Sequence, residues 1–301
     1  MDRRSFIRKM IIAAAAVSCP AAFSPLAASR AEPSPAPDLA VVRGPSPERI
    51  VASAVDALGG MRRFVSPGDI VVVKPNMGWD RAPEFGANTH PAVVAALVGL
   101  AVEAGAKRVK VFDHTVNDPR RCYRQSGVAA AAEAAGAEVS FVDKRKFKSV
   151  RLDGEVLKEW PLYEDILEAD KIINVPVAKT HGLSTLTLAL KNWMGVMGGG
   201  RWRIHQRIHE SLVDVARKVK PTLTVLDAVR ILTANGPQGG RLEDVKVLDT
   251  VIAGTDQVAV DSYGATLFGL RGRDLGYVRI GHETGLGNMN LESLDIRKIT
   301  L

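Results

Sequence analysis

Aromatic residues make up only 5% of the 301 positions, and cysteine occurs twice. So few rings leave few platforms on which the bases of a single-stranded nucleic acid could stack. Cys19 falls in the leader described below, which leaves Cys122 alone, so neither an intrachain disulfide nor an iron–sulfur cluster can be assembled. Cys122 is set between arginines in Arg-Arg-Cys-Tyr-Arg and is expected to be a lone surface thiol. Phosphate-binding patterns are missing too. No Gly-x-x-x-x-Gly-Lys-Ser/Thr occurs and no Gly-x-Gly-x-x-Gly follows a strand, so nucleotide binding has no support. There is also no Gly-x-Ser-x-Gly elbow and no Ser-His-Asp order for acyl transfer.

What is present begins with a leader. Arg3 and Arg4 are followed by Phe6, Ile7, Arg8 and Lys9, then by a weakly apolar run from Met10 to Val17 and by Ser29-Arg30-Ala31. That run is far shorter than the ~20 residues that span a bilayer. The pattern predicts a twin-arginine signal over 1–31, a Pro-rich linker over 32–38 and one α/β domain over 39–301. The twin-arginine export machinery and a periplasmic location follow as expectations, with no transmembrane segment in the mature chain. Lipid anchoring at Cys19 is a minor alternative, weakened by Pro20. Removing Arg3, Arg4, Arg8, Lys9 and Arg30 together with Asp2 lowers the net charge from +7 to +3. Without a long basic block, that residue of charge gives no reason to expect nucleic acid as a partner.

Buried-type apolar runs alternate with helical spacing through the rest of the chain. A helix capped by Ser46-Pro47 runs to Gly59-Gly60, followed by a strand over 69–76, a helix over 90–105, a strand over 108–114, a helix over 127–136 and a strand over 137–143. Short alternating runs around Asp153-Gly154 predict a hairpin over 149–160. Strands are expected again over 171–179, 221–229 and 245–255. Helical spacing runs from Ile204 to Val219, and a last helix over 258–270 is capped by Asp256. The order predicts an α/β fold with a mostly parallel, Rossmann-like sheet, helices on both faces and a hairpin insertion.

In such sheets ligands bind beyond the carboxyl ends of the strands. The polar residues there are Lys74 and Asn76, Asp113 and His114, Lys179 and His181, and Asp227. The stretch from Gly198 to Glu210 adds three glycines, three arginines and two histidines. His205 and His209 are four apart, so on one helix they share a face and could hold a divalent ion, with His181 or His114 as a third ligand. A solvated basic helix end accounts for the same residues. Alternatively, Gly199 and Gly200 open a helix whose free N–H groups cradle an anion, with Lys179, Lys191 and Arg201 adding charge. Asn192 joins this anion-binding set with Lys74 and Asn76. Lys191 closes an apolar run and suits a general base or Schiff-base role if desolvation lowers its pKa, and Lys179 and Asp227 complete the expected catalytic set. A lysine that merely snorkels remains the plainer reading.

The segments around 73–79 and 88–98, the Lys-Thr-His, Leu-Lys-Asn, Gly-Gly and His run within 174–229, and those at 235–240 and 254–264 resemble, in the same order, the DUF362 family, whose name records an unknown function. Many members carry a ferredoxin-like cysteine cluster. This chain has none, so the electron-transfer role suggested for them is not implied. The Gly-Gly-basic segment followed by histidine also resembles lactate racemase enzymes, which hold a nickel pincer cofactor. Residues and resemblance together predict a metal-assisted enzyme that moves a proton on, or isomerises, a small organic anion. An exported, non-catalytic metal- or anion-binding protein is the alternative, and a redox-associated protein stands third.

Overall fold

The computed structural model describes residues 36–301. The leader and the first part of the linker lie outside the described residues. In chain order the described elements are β1 (Leu39–Arg43), α1 (Pro47–Ala57), β2 (Ile70–Pro75), α2 (Pro91–Glu103), β3 (Arg108–Val111), α3 (Pro119–Gln125), α4 (Val128–Ala134) and β4 (Glu138–Val139). Then follow β5 (Phe147–Arg151), β6 (Glu159–Tyr163), α5 (Glu164–Leu167), β7 (Lys171–Val175), β8 (Val177–His181), β9 (Thr185–Thr187) and α6 (Ala189–Asn192). The chain closes with α7 (Ile208–Lys218), β10 (Leu223–Leu232), β11 (Val245–Gly254), α8 (Gln257–Thr266), α9 (Gly276–Glu283) and β12 (Ile296–Thr300).

The main sheet has the order β12-β1-β11-β10-β7-β2-β3-β4, with β8 pairing both β10 and β9. Most pairings are parallel, and β11 is antiparallel to both its neighbours. β2 illustrates why the apolar runs are continuous. Val71 and Val73 belong to one core and Val72 to the other, so both faces are covered and neither can be polar. Helices α1 and α2 close one face, and α7, α8 and α9 close the other. The expected hairpin is a separate two-stranded sheet of β5 and β6, with Asp153 at φ 50° in its loop. Ser46 and Asp256 cap α1 and α8 as their sequence positions suggest.

Three departures bear on the site. Pro176 splits the run over 171–179 into β7 and β8, because it has no N–H for the ladder, and its carbonyl accepts from the Asp227 N–H at 2.8 Å. β8 then diverges to pair with β9. The helical spacing from Ile204 spans two structures, a 3₁₀ helix over Arg201–Arg207 and then α7, with Arg207 at φ −136°, ψ 65° breaking continuity between them. Cys122 is fully buried on α3 rather than exposed, its thiol donating to the Gly78 carbonyl at 3.4 Å, and burial pushes it up to about 11. It is an inert core residue, not a reactive thiol.

Candidate functional site

Beyond the carboxyl ends of β2, β3 and β8 lies a cavity of ≈ 300 Å³. Beneath it the fully buried Lys74 pairs with Asp113 Oδ1 at 2.8 Å and donates to the Pro75 carbonyl at 2.6 Å. The other Asp113 oxygen accepts from the Met77 N–H at 2.8 Å. Burial pulls the Lys74 ammonium below its ordinary range, against the attraction of Asp113. Gly195 sits on this pair, where any Cβ would collide with Asp113 Oδ1 and the Lys74 ammonium. Lys74 is therefore committed below the floor and does not reach the cavity as an anion ligand.

Two other lysines do line it. Lys179 donates to the Ala87 carbonyl and, at 3.3 Å, to Asn76 Oδ1, and its ammonium lies 5.9 Å from the Trp79 ring centre. Burial, opposed by Asp113 and helped by Lys191, pulls it down to about 7. The short helix α6 carries Lys191 and Asn192. Its first N–H groups, from Ala189 and Leu190, donate at 2.6 and 2.9 Å to the buried carboxylate of Asp261 on α8. Asp261 thus caps the turn that presents Lys191. The Lys191 ammonium meets only Met194 Sδ, at 2.7 Å, and burial followed by the nearby Arg201 brings it to about 7. Asn192 donates to the Lys74 carbonyl at 3.0 Å and to Asn174 Oδ1 at 2.8 Å.

Three imidazoles border the same space. His181 Nδ1 accepts from the Leu183 and Ser184 N–H groups at 3.1 and 3.3 Å. Burial, then Lys191, His205 and Lys179, pull its pKa down to about 3. The ring is therefore neutral with its proton on Nε2. His205 stacks on it, with ring centres 6.0 Å apart and planes 9° from parallel, and is shifted down by burial and then by Lys191. His114 donates from Nδ1 to the Met197 carbonyl at 2.7 Å, which leaves a lone pair on Nε2, and burial lowers its pKa as well. Sequence reading placed Asp113 at a strand end without a role, and offered His114 only as an alternative third metal ligand. It did not single out Trp79, Met194, Trp202 or Pro237, which also line the cavity.

The remaining expectations divide differently. Arg201 lines the cavity, but its guanidinium donates to the carbonyls of His114 at 2.7 Å, Met194 at 3.1 Å and Thr115 at 2.7 Å, so it fastens the wall. Gly199 and Gly200 do not line the cavity: both are exposed beside the hairpin, and the segment they open is a 3₁₀ turn. Asp227 lies outside the cavity and cannot act there. Its oxygens accept from the His90 N–H at 2.6 Å and the Val229 N–H at 2.9 Å, tying the start of α2 to β10, and burial raises it to about 6. His209 is separated from His205. Past the break at Arg207 its ring stacks on Tyr277, centres 6.1 Å apart, so the i, i+4 pair does not chelate. Among the described residues no three His, Cys, Asp or Glu side chains converge to hold a metal ion.

The family described as "Domain of unknown function (DUF362)" matches residues 71–266, a span that contains every residue lining the cavity. The thylakoid-associated protein sll1697 of Synechocystis sp. is 30% identical over 215 residues, 69% of this chain and 65% of that protein. Among solved structures, the lactate racemase apoprotein from Thermoanaerobacterium thermosaccharolyticum shares the fold with a TM-score of 0.50 at 11% identity, over 75% of this chain and 56% of that one. A Thermotoga maritima protein follows with a TM-score of 0.43 at 12% identity, over 74% and 58%. The chain spans less than two thirds of the length of each of these relatives.

Proposed function

The chain belongs to the DUF362 family, and from the chemistry of its cleft we propose that it is an enzyme that moves a proton on a small organic anion, as an isomerase does. The observation that carries this reading is the pair of buried lysines, Lys179 and Lys191, both brought to about 7 beside neutral imidazoles in one cavity. A group poised near the working pH can both take and return a proton. Lys191, whose ammonium has no oxygen partner, is the proposed acid–base residue. The Nε2–H of His181 is a donor for a carboxylate oxygen, and the Nε2 lone pair of His114 offers a second proton acceptor from a different element. The fold shared with a lactate racemase apoprotein is consistent with this reaction class and carries no residue assignment.

We further propose that a metal, if used, enters on an organic frame or with the substrate. Of the histidines expected as metal ligands, His114, His181 and His205 border the cavity and His209 does not, and among the described residues no three such side chains converge into a protein-only site. The Lys191 amine, brought to about 7, and the stacked imidazoles of His181 and His205 would suit a group such as the nickel pincer, which brings its own ligands. When bound, it would supply Lewis-acid chemistry. The proposed setting is outside the cytoplasm, on the reading of residues 1–31.

The test is isotope exchange in heavy water on carboxylates that stabilise the protein in a thermal-shift screen. Wild type should place solvent deuterium in the bound acid, and Lys191→Met should bind it without exchange. Should no bound acid exchange, and Lys191→Met weaken binding alone by about 1.5–3 kcal/mol, the non-catalytic binder is the better account.

A further inference from the structure

The chain holds four tryptophans. Trp160 and Trp193 are in the core, at 8% and 0% exposure, with their indole N–H groups satisfied by the Gly198 carbonyl and Gln257. The other two, Trp79 and Trp202, both line the one cavity that contains the lysines. In a chain so poor in rings, that distribution needs a cause. The folded core does not supply it for Trp202, which is 68% exposed on the 3₁₀ turn over Arg201–Arg207. Val116, 59% exposed, lines the same cavity, and Leu183, 61% exposed, follows two residues after His181. Large apolar side chains left in water around the rim of a cationic cavity mark a binding surface more often than chance exposure.

The polar groups lie within reach of these rings, the Lys179 ammonium being 5.9 Å from the Trp79 ring centre. Inside the cavity are the Lys179 and Lys191 ammonium groups and the His181 Nε2–H. Asp113, the carboxylate that borders it, is already paired with Lys74. A ligand that matches both parts carries one compact negative group for the lysines and a flat apolar body for the indoles. A three-carbon hydroxy acid has the first and lacks the second.

Resting on the reading of the cleft as an anion site, we propose that the substrate is an aryl-substituted carboxylate, with Trp79 and Trp202 as its specificity-determining residues. The carboxylate is held by Lys179 and His181 beside the acid–base Lys191, and the aromatic ring packs on the tryptophans. Trp79 is anchored through its backbone, which exchanges hydrogen bonds with the Asn88 side-chain amide at 3.1 and 2.9 Å, and its ring lies against the Lys179 ammonium. Trp202, 68% exposed, is the part of the wall that a ligand's ring would cover.

Calorimetric titration of the full chain with 3-phenyllactate and with lactate tests this directly. Phenyllactate is expected to bind at least tenfold more tightly. Trp202→Ala should lower its affinity about three- to tenfold, as loss of an aromatic pair does, while leaving lactate unchanged, and Trp202→Phe should restore most of it. Trp202 is exposed, so the fold should survive the change, which its circular dichroism will verify. Equal affinity for the two acids, binding of neither, or an unchanged phenyllactate affinity in Trp202→Ala overturns the proposal. The readout is binding, not turnover. Phenyllactate could bind as expected and still fail to exchange deuterium, which would remove the enzyme reading and leave the aryl-acid site standing.

Discussion

At the scale of single residues, the lysines of the cleft are held in a state that folding penalises and a ligand would relieve. The ordinary value for Lys179 and Lys191 is 10.5, and burial takes both to about 7 in the folded protein. Below pH 7 both states are protonated and the full penalty applies. Between about 7 and 10.5 the unfolded chain binds protons that the folded one does not, so stability rises with pH across that window. Asp261 acts in the opposite sense. Burial raises it from 3.8 to about 8, so its contribution to stability falls as pH rises toward 8 and is constant above it. Cys122, raised from 9.0 to about 11, opposes the lysines from pH 9 upward, so the interval from about pH 8 to 9 is the one in which neither Asp261 nor Cys122 masks them. Urea unfolding across it should show stability increasing, and Lys179→Met or Lys191→Met should each flatten the slope by up to about 1.4 kcal/mol per pH unit. An unchanged slope in both variants would mean that the two amines are solvated and not poised for proton transfer.

At the scale of elements, the site depends on how short segments end. Helix α6 is a single turn too short to be stable by itself, and its first two N–H groups are satisfied across the core by Asp261. Asp261→Ala should therefore cost roughly 2–5 kcal/mol in urea unfolding, since two buried donors lose their acceptor. Asp261→Asn, which keeps one acceptor oxygen, should cost less. Equal loss in both variants would mean that the acceptor oxygen retained by Asp261→Asn does not cap α6. The same scale explains what could be read beforehand. Val71 to Val73 announce a strand covered on both sides because each residue is apolar whichever way it faces, and the lysine and histidine closing the Pro176-split run mark its open end. Lys191, Asn192, Lys179, Asn76, His181, His205 and Arg201 were thus legible as cleft residues. His209 was not. Four residues along an α-helix leave side chains about 40° apart, whereas the same four along a 3₁₀ helix leave them about 120° apart, and the break at Arg207 turns His209 further toward Tyr277. Lys74 and Asp227 look free in sequence because their partners, Asp113 and the His90 N–H, are 39 and 137 residues away.

At the scale of the molecule, the described residues 36–301 build two cores and the cleft, and no described helix is long and apolar enough to cross a membrane. The paired Arg3 and Arg4 with their weakly apolar follower lie outside the described residues, and their proposed role, read from the sequence, is as an address. The twin-arginine route accepts folded passengers. This would let the buried lysines and any group they hold be assembled before export. Arg3→Lys with Arg4→Lys should then retain the protein in the cytoplasm with its precursor length intact, and the retained protein should unfold in urea at the same midpoint as the exported form. The two measurements separate address from fold. Retention with an unchanged midpoint supports a signal read by the export machinery. Retention with a lowered midpoint would mean that the first residues contribute to folding. Undiminished mature protein outside the cytoplasm would remove the twin-arginine assignment, and with it the argument that this cleft is loaded before it leaves the cell.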